Sequence, residues 1–427
     1  MNQAIASESH GVRSALTAGG DNPWLGSIFL ILLLLLTNRY FFLVSDSQIL
    51  PGDSFSYVRI ASAFPRLPIS NSDIPPQHAQ RFVVPYLVGG FSKLTHLPLE
   101  GSFRVFTIGA MLSIVSLLVR ILRRLHGLLP LHFLWLLALL ILNPYSFRIY
   151  IAAPYLLNDL FFQVGLTMLV LGLFEESILI SLLGVLLAIC SRQTGLLLIP
   201  PMLLWLVLLW PRNRKRAAIF AGVTVTVTTI LIYIMSAYIA LRISRQVVSI
   251  AHVAGFLTWM RGSPSIKALM EFGLRGIIGF TFLAATLLGT FPRFSSIAEW
   301  SREDCLRTGC LLGFAAMIAS QPVLGGPAVT AHDITRLVLL GLTPLLVALG
   351  ILFSHTTLSK QFWQQAFPLF MVSVALGSFH HTYSFLGVGN GAERTTNFAL
   401  VHFGCGALLF LGLKAVAMSI RESLPTA

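Results

Sequence analysis

Two polar passages interrupt an otherwise almost continuously apolar chain: Gly52-Asp53-Ser54-Phe55-Ser56-Tyr57 and Gln80-Arg81-Phe82-Val83-Val84-Pro85. A carboxylate such as Asp53 can take the proton of an attacking hydroxyl. A guanidinium such as Arg81 can grip a phosphate through two parallel hydrogen bonds and stabilise the charge that grows on it as it leaves. A base and a phosphate clamp are the two charges needed to move a group from a phosphate-linked donor to an alcohol. Both lie in the loop after the first hydrophobic stretch, which sets them at the mouth of a membrane bundle.

The elements that must position them follow from composition. Of 427 residues, 56% are hydrophobic and only 11% charged, which places the chain among polytopic integral membrane proteins. A crossing helix needs about 20 largely apolar residues. Such stretches predict an all-α protein of about 12 spans, beginning near residues 25, 101, 129, 158, 177, 196, 217, 272, 305, 335, 366 and 397. The whole of 1–427 reads as one transmembrane domain. Residues 1–24 form a cytoplasmic tail, 46–100 a long first outer loop with an interfacial helix over Phe82 to Leu97, and 241–271 a second outer amphipathic segment around Trp259, Arg261 and Lys267. The first span has no small-residue cleavage site after it, so it reads as an uncleaved anchor.

Orientation rests on two basic clusters, Arg120-Arg123-Arg124 and Arg212-Arg214-Lys215-Arg216, which fall on one side and make that side cytoplasmic. Arg59, Arg66, Arg81, Lys93, Arg242, Arg245, Arg261 and Lys267 fall on the other side, where they either weaken the assignment or serve an anionic substrate. The net charge of +13 is spread along membrane flanks, which suits anionic lipid headgroups and not nucleic acid. Cys190, Cys305, Cys310 and Cys405 show no CxxC spacing, so neither a disulfide framework nor a zinc site is expected.

Only seven aspartates occur, and Asp53, Asp159 and Asp333 all fall on the outer face of this topology. Arg192, Arg336 and Arg394 lie at the same level, so carboxylates and guanidiniums gather about one outward cavity, where ionisable groups survive only if paired or wet. Each has a plainer role open to it. Asp53 after Pro51-Gly52 can be a turn residue, Arg81 can snorkel to headgroups, and Asp159 or Asn158 can cap a helix. Arg192 and Arg336 can be structural partners of Asp159 and Asp333. The adjacent His380 and His381 point to different helix faces, so with His332 they make no converging metal set. No phosphate loop, His-Glu-x-x-His motif or Gly-x-Ser-x-Gly elbow occurs.

These residues resemble the GT-C glycosyltransferases, particularly bacterial multi-span members. Asp53 with Tyr57 is similar to the family's Asp-x-x-x-Tyr at the start of the first outer loop, and Arg81-x-x-x-Pro85 to the Arg-x-x-x-Pro that follows. Asn158-Asp159 and Ser191-Arg192-Gln193-Thr194-Gly195 through Pro200 resemble its acidic loop and later basic-Gly-Pro segment. Asp333-Ile334-Thr335-Arg336 leading to Pro344 resembles its late Arg-and-Pro helix start. The chain departs from many members in showing no second acid beside Asp53 and no soluble outer domain at the C-terminus.

The resemblance implies transfer of a hexosyl or pentosyl group from a polyprenyl-phosphate donor to a glycan, lipid or protein acceptor on the extracytoplasmic face of a bacterial inner membrane. Asp53 and Asp159 would be catalytic, Arg81, Arg192 and Arg336 would hold the donor phosphate, and Tyr57, His332 and Asp333 would orient substrate. With a single base the transfer would invert the anomeric centre. No metal ligand is assigned, and a divalent ion accompanying the donor stays open. A secondary transporter or flippase of envelope precursors, and a non-catalytic subunit of a polysaccharide machine, are the alternatives. Transport finds no support in paired half-sequences with matching mid-span interruptions.

Overall fold

The computed structural model describes residues 23–37, 53–69, 74–210, 214–244, 255–291, 294, 299–330, 334–383 and 396–422. Among them the chain is helical, with one isolated antiparallel bridge between Phe294 and Thr356. Helix α1 spans Pro23–Leu36, and the first-loop region supplies α2 (Asp53–Ser62), α3 (Pro76–Ala79) and α4 (Val83–Thr95). Then come α5 (Leu99–Leu122), α6 (Pro130–Ile141), α7 (Leu157–Phe174), α8 (Ile178–Ser191), α9 (Ile199–Leu209) and α10 (Arg214–Tyr233). The second amphipathic region supplies α11 (Gly255–Arg261) and α12 (Ile266–Ile277). The remainder is α13 (Thr281–Thr290), α14 (Arg302–Thr330), α15 (Ile334–Val338), α16 (Leu342–Ser354), α17 (Lys360–Tyr383) and α18 (Thr396–Glu422).

Helices begin close to every expected span start, the widest offsets being Ile266 against 272 and Lys360 against 366. Among the described residues, eight segments are long and apolar enough to cross a bilayer, and three more, Trp24–Leu36, Ile178–Ser191 and Gln193–Leu209, are apolar but shorter. A polytopic all-α membrane protein is therefore what the chain builds. Within Phe82 to Leu97, where a helix is expected, α4 runs from Val83 to Thr95. Of the expected segment 241–271, Leu241–Ser244 continues the helical stretch that begins at Arg214, 245–254 lie outside the described residues, and α11 and the start of α12 follow; α12 joins α13 in the long apolar segment Ile266–Thr290.

Burial ranks the segments. Of the most apolar stretch within each, 94%, 83% and 83% is buried in Pro130–Ile151, Pro154–Phe174 and Ile334–Ser354, against 22% and 28% in Arg214–Ser244 and Ala399–Arg421. The first three are the centre of the bundle, and the last two turn apolar faces outward, as lipid-facing helices do. Trp135 on α6 stacks on Phe370 of α17 at 3.8 Å, meets Trp363 edge-on at 5.3 Å and donates its indole N–H to Thr286 Oγ1 at 3.1 Å. The polar handle of this buried aromatic is thereby satisfied.

Helices α7 and α8 touch through backbone. A Cβ at Gly165 would lie 2.5 Å from Ala188 N and 2.6 Å from Gly184 O, so only hydrogen fits there. Small residues of this kind let membrane helices approach closely. The contact matters because α7 and α8 carry Asp159 and lead directly into Arg192. Gly165→Ala overpacks this seam and is expected to cost about 1–3 kcal/mol. Gly109→Ala, where nothing lies within 4 Å of the new methyl, is the neutral control. Thermal unfolding in detergent compares them, and equal midpoints would contradict the close seam.

At the far end of α7, Glu175 accepts hydrogen bonds from Arg120 Nε and Nη2 at 2.8 and 2.7 Å and from Arg124 Nη2 at 2.8 Å. Burial pushes this carboxyl upward, but the hydrogen bonds and charges of the two arginines outweigh it and hold it below the usual carboxylate range. A depressed folded-state value stabilises the fold above the ordinary carboxylate pKa of about 4.3 and stops doing so as pH falls through the folded value. The arginines are more than half exposed, so the effect is small, under about 1 kcal/mol. The unfolding midpoint of Glu175→Gln should fall slightly below wild type at pH 7 and converge with it in acid. A gap that widens in acid would reverse the assignment.

Candidate functional site

The other end of α7 carries the most concentrated charge in the described structure. A turn at Pro154–Leu156 delivers the chain into α7, whose first turn contains Asp159. An acid there is favoured by the helix dipole. It does not act as a cap, because the N-cap position is Leu156 and makes no side-chain capping bond. The Asp159 carboxylate bridges two guanidiniums instead, with Arg192 Nη1 donating to Oδ1 and Arg336 Nη1 donating to Oδ2 at 2.6 Å. All three side chains are at most 4% exposed.

Each arginine is delivered by a local break. Helix α8 stops at Ser191, and Arg192 is extended (φ −152°, ψ 141°), which turns the chain into the tight Gln193–Leu198 segment before Pro200 and Pro201 open α9. Gly195 is required inside that turn, since a Cβ there would lie 2.7 Å from Ile189 N. Arg336 sits in the short α15, anchored where Thr335 Oγ1 donates to Arg275 O of α12 at 2.5 Å. The cluster thus clamps Pro154–Phe174 to Ile334–Ser354, two of the three most buried spans, and to the end of α8.

Arg81, from the turn between α3 and α4, joins this group. Its guanidinium acts electrostatically on both Asp159 and Arg192. It donates through Nε to Gln193 Oε1 at 3.0 Å and through Nη1 to Tyr57 OH at 3.2 Å. It does not simply snorkel outward. Tyr57 is 1% exposed and its ring lies 5.3 Å from that of His78, whose Nδ1 is paired with Ser56 Oγ at 3.0 Å. Gln193 Nε2 donates to Gln77 O at 2.9 Å and to Gln80 Oε1, while Gln80 Nε2 donates to Ser236 Oγ at 2.9 Å. Three guanidiniums therefore converge beside a polar floor made by the first-loop helices.

Of the residues singled out by sequence, Asp159, Arg81, Arg192, Arg336 and Tyr57 are brought together. Both buried arginines pair with Asp159, and the expected partner role of Asp333 lies outside the described residues. Asp53 opens α2 one turn before Tyr57, and its side chain lies outside the described residues, as do His332, Asp333, Arg394 and the side chains of His380 and His381. Among the described residues no group of three His, Cys, Asp or Glu could hold a metal ion.

Reading the sequence passed over Gln193, Gln80, His78 and Ser56, which carry no charge anomaly and meet partners more than twenty residues away. It also passed over Arg148, an arginine that is 4% exposed. Its Nε donates to Ser378 Oγ at 2.8 Å, and Nη1 and Nη2 donate to Thr37 O and Oγ1 at 3.1 and 3.0 Å. A lone arginine in an apolar run was the available signal. Asn158, 1% exposed, has neither amide atom hydrogen-bonded among the described residues.

Chemically, guanidiniums are planar donors matched to phosphate oxygens and are permanently charged. Asp159 fixes two of them and Gln193 with Tyr57 fixes the third, which is the preorganisation an anion site needs. Compared with family models, curated proteins and solved structures, the chain matches none, so the geometry alone must carry the functional reading.

Asp159→Asn removes the carboxylate shared by two buried cations and is expected to lower stability by about 3–5 kcal/mol. Replacing Arg192 and Arg336 by Met in the same protein should recover most of that loss. Unfolding in detergent measures both, and an unchanged midpoint for Asp159→Asn would show that the carboxylate is not the hub.

Proposed function

We propose that this protein is a membrane glycosyltransferase that moves a sugar from a polyprenyl-phosphate donor to an acceptor hydroxyl on the extracytoplasmic face. The observation that carries the reading is the convergence of Arg81, Arg192 and Arg336 at one end of the bundle. Support for the side comes from α7, which bears the arginine group near its start and the Glu175–Arg120–Arg124 group at its end. Sixteen residues at 1.5 Å each separate them by about 24 Å. If the Arg120 cluster is cytoplasmic, the arginine group faces out. Nucleotide sugars are confined to the cytosol, so an outward site requires a donor that crosses as a lipid.

In this reaction the acceptor oxygen attacks the anomeric carbon as the bond from that carbon to the phosphate oxygen breaks. The acceptor proton goes to Asp53, and the electron pair leaves on the polyprenyl phosphate, whose charge the guanidiniums stabilise. One base and one displacement invert the anomeric configuration. Tyr57 and Asp159 act on the arginines and hold the clamp in shape, and His332 and Asp333 orient substrate.

Transfer of labelled sugar from a series of polyprenyl-phosphate donors tests this. Asp53→Asn should lower turnover at least about a hundredfold, and Arg81→Ala should raise the donor KM. Full activity in Asp53→Asn would remove the base. Movement of the lipid across the membrane with no transfer from any donor would replace the enzyme by a flippase.

A further inference from the structure

Gln193 makes three side-chain hydrogen bonds that only one orientation of its amide can satisfy. Its carbonyl oxygen accepts from Arg81 Nε at 3.0 Å, and its nitrogen donates to Gln77 O at 2.9 Å and to Gln80 Oε1. Reversing the amide would set a donor against the guanidinium and an acceptor against two oxygens. The residue follows Arg192 directly, in a turn pinned by the Gly195 N–H bond to Arg192 O at 2.9 Å. It therefore stands between the deeply buried Asp159–Arg192–Arg336 group and the first-loop helices. Through Gln80 the same chain of bonds continues to Ser236, in the widened helical turn Ile234–Ala240.

We propose that Gln193 is the positioning residue for Arg81. It fixes the Nε edge of that guanidinium, and Tyr57 steadies Nη1, in the orientation in which Arg81 meets a phosphate. This proposal rests on the lipid-phosphate reading given above. Arginine reaches the site from a loop turn and would otherwise sample many rotamers, so a partner that fixes one edge raises the fraction of molecules able to bind. Gln is suited where Glu is not. A carboxylate at this position would keep an acceptor for Nε, lose both donated bonds and compete with phosphate for the same cation.

The test is a double-mutant cycle on purified protein in detergent, with farnesyl phosphate as probe and farnesol as the uncharged control. Gln193→Ala should weaken farnesyl phosphate about tenfold in the wild-type background and less than about twofold when Arg81 is already Ala. Gln193→Glu should weaken it at least as much as Gln193→Ala, and farnesol binding should change in neither. A loss of the same size in both backgrounds, or an equal loss for farnesol, would overturn the positioning role while leaving the phosphate site intact. If wild type takes farnesyl phosphate no better than farnesol, the underlying reading fails and this proposal fails with it.

Discussion

A carboxylate sealed between apolar helices is tolerated only if cations meet it, and Asp159 meets two. That requirement fixes the rest of this end of the bundle. Arg192 must emerge from the α8 break at the height of the first turn of α7, which the glycine-lined seam between those helices permits. Arg336 must arrive from the start of the Ile334–Ser354 span at the same height. Burial of such a group adds little net stability over a well-packed apolar one. Its effect is on register, because sliding any one of the three segments by a turn would strand a charge.

The first-loop helices are attached to this group by weaker and neutral bonds. Arg81, Tyr57, Gln193, Gln80 and Ser236 form a chain of hydrogen bonds in which Tyr57 and Gln80 are buried and Arg81, Gln193 and Ser236 are half-buried. A deep, rigid ion cluster and a shallower polar layer thus share one guanidinium. On the proposed reading that division has a use: the buried part keeps the charges in place and the loop part meets the donor. At the opposite end, Glu175 pairs with two exposed arginines, Arg120 and Arg124, and the group contributes in proportion.

Much of the fold was legible because apolar length alone marks a span, and helix starts at Pro23, Leu99, Pro130, Ile178 and Ile334 lie where hydropathy puts them. The scarcity of acids made Asp159 visible, and the break in Ser191-Arg192-Gln193-Thr194-Gly195 made Arg192 visible. What could not be read was partnership. Nothing local says that Arg336, 177 residues away, pairs with Asp159, because that pairing is made by the crossing of two spans. Gln193 and Gln80 were overlooked for the same reason, since uncharged side chains announce themselves only through geometry.

The central claim is that the three guanidiniums about Asp159 hold a lipid phosphate. The most direct measurement is an experimental structure of the protein bound to a polyprenyl phosphate. The account predicts phosphate oxygens within about 3 Å of Arg81 and of Arg192 or Arg336, the ordinary span of a charge-assisted hydrogen bond. A phosphate bound elsewhere, with Asp159 and its arginines undisturbed and closed to it, would contradict it.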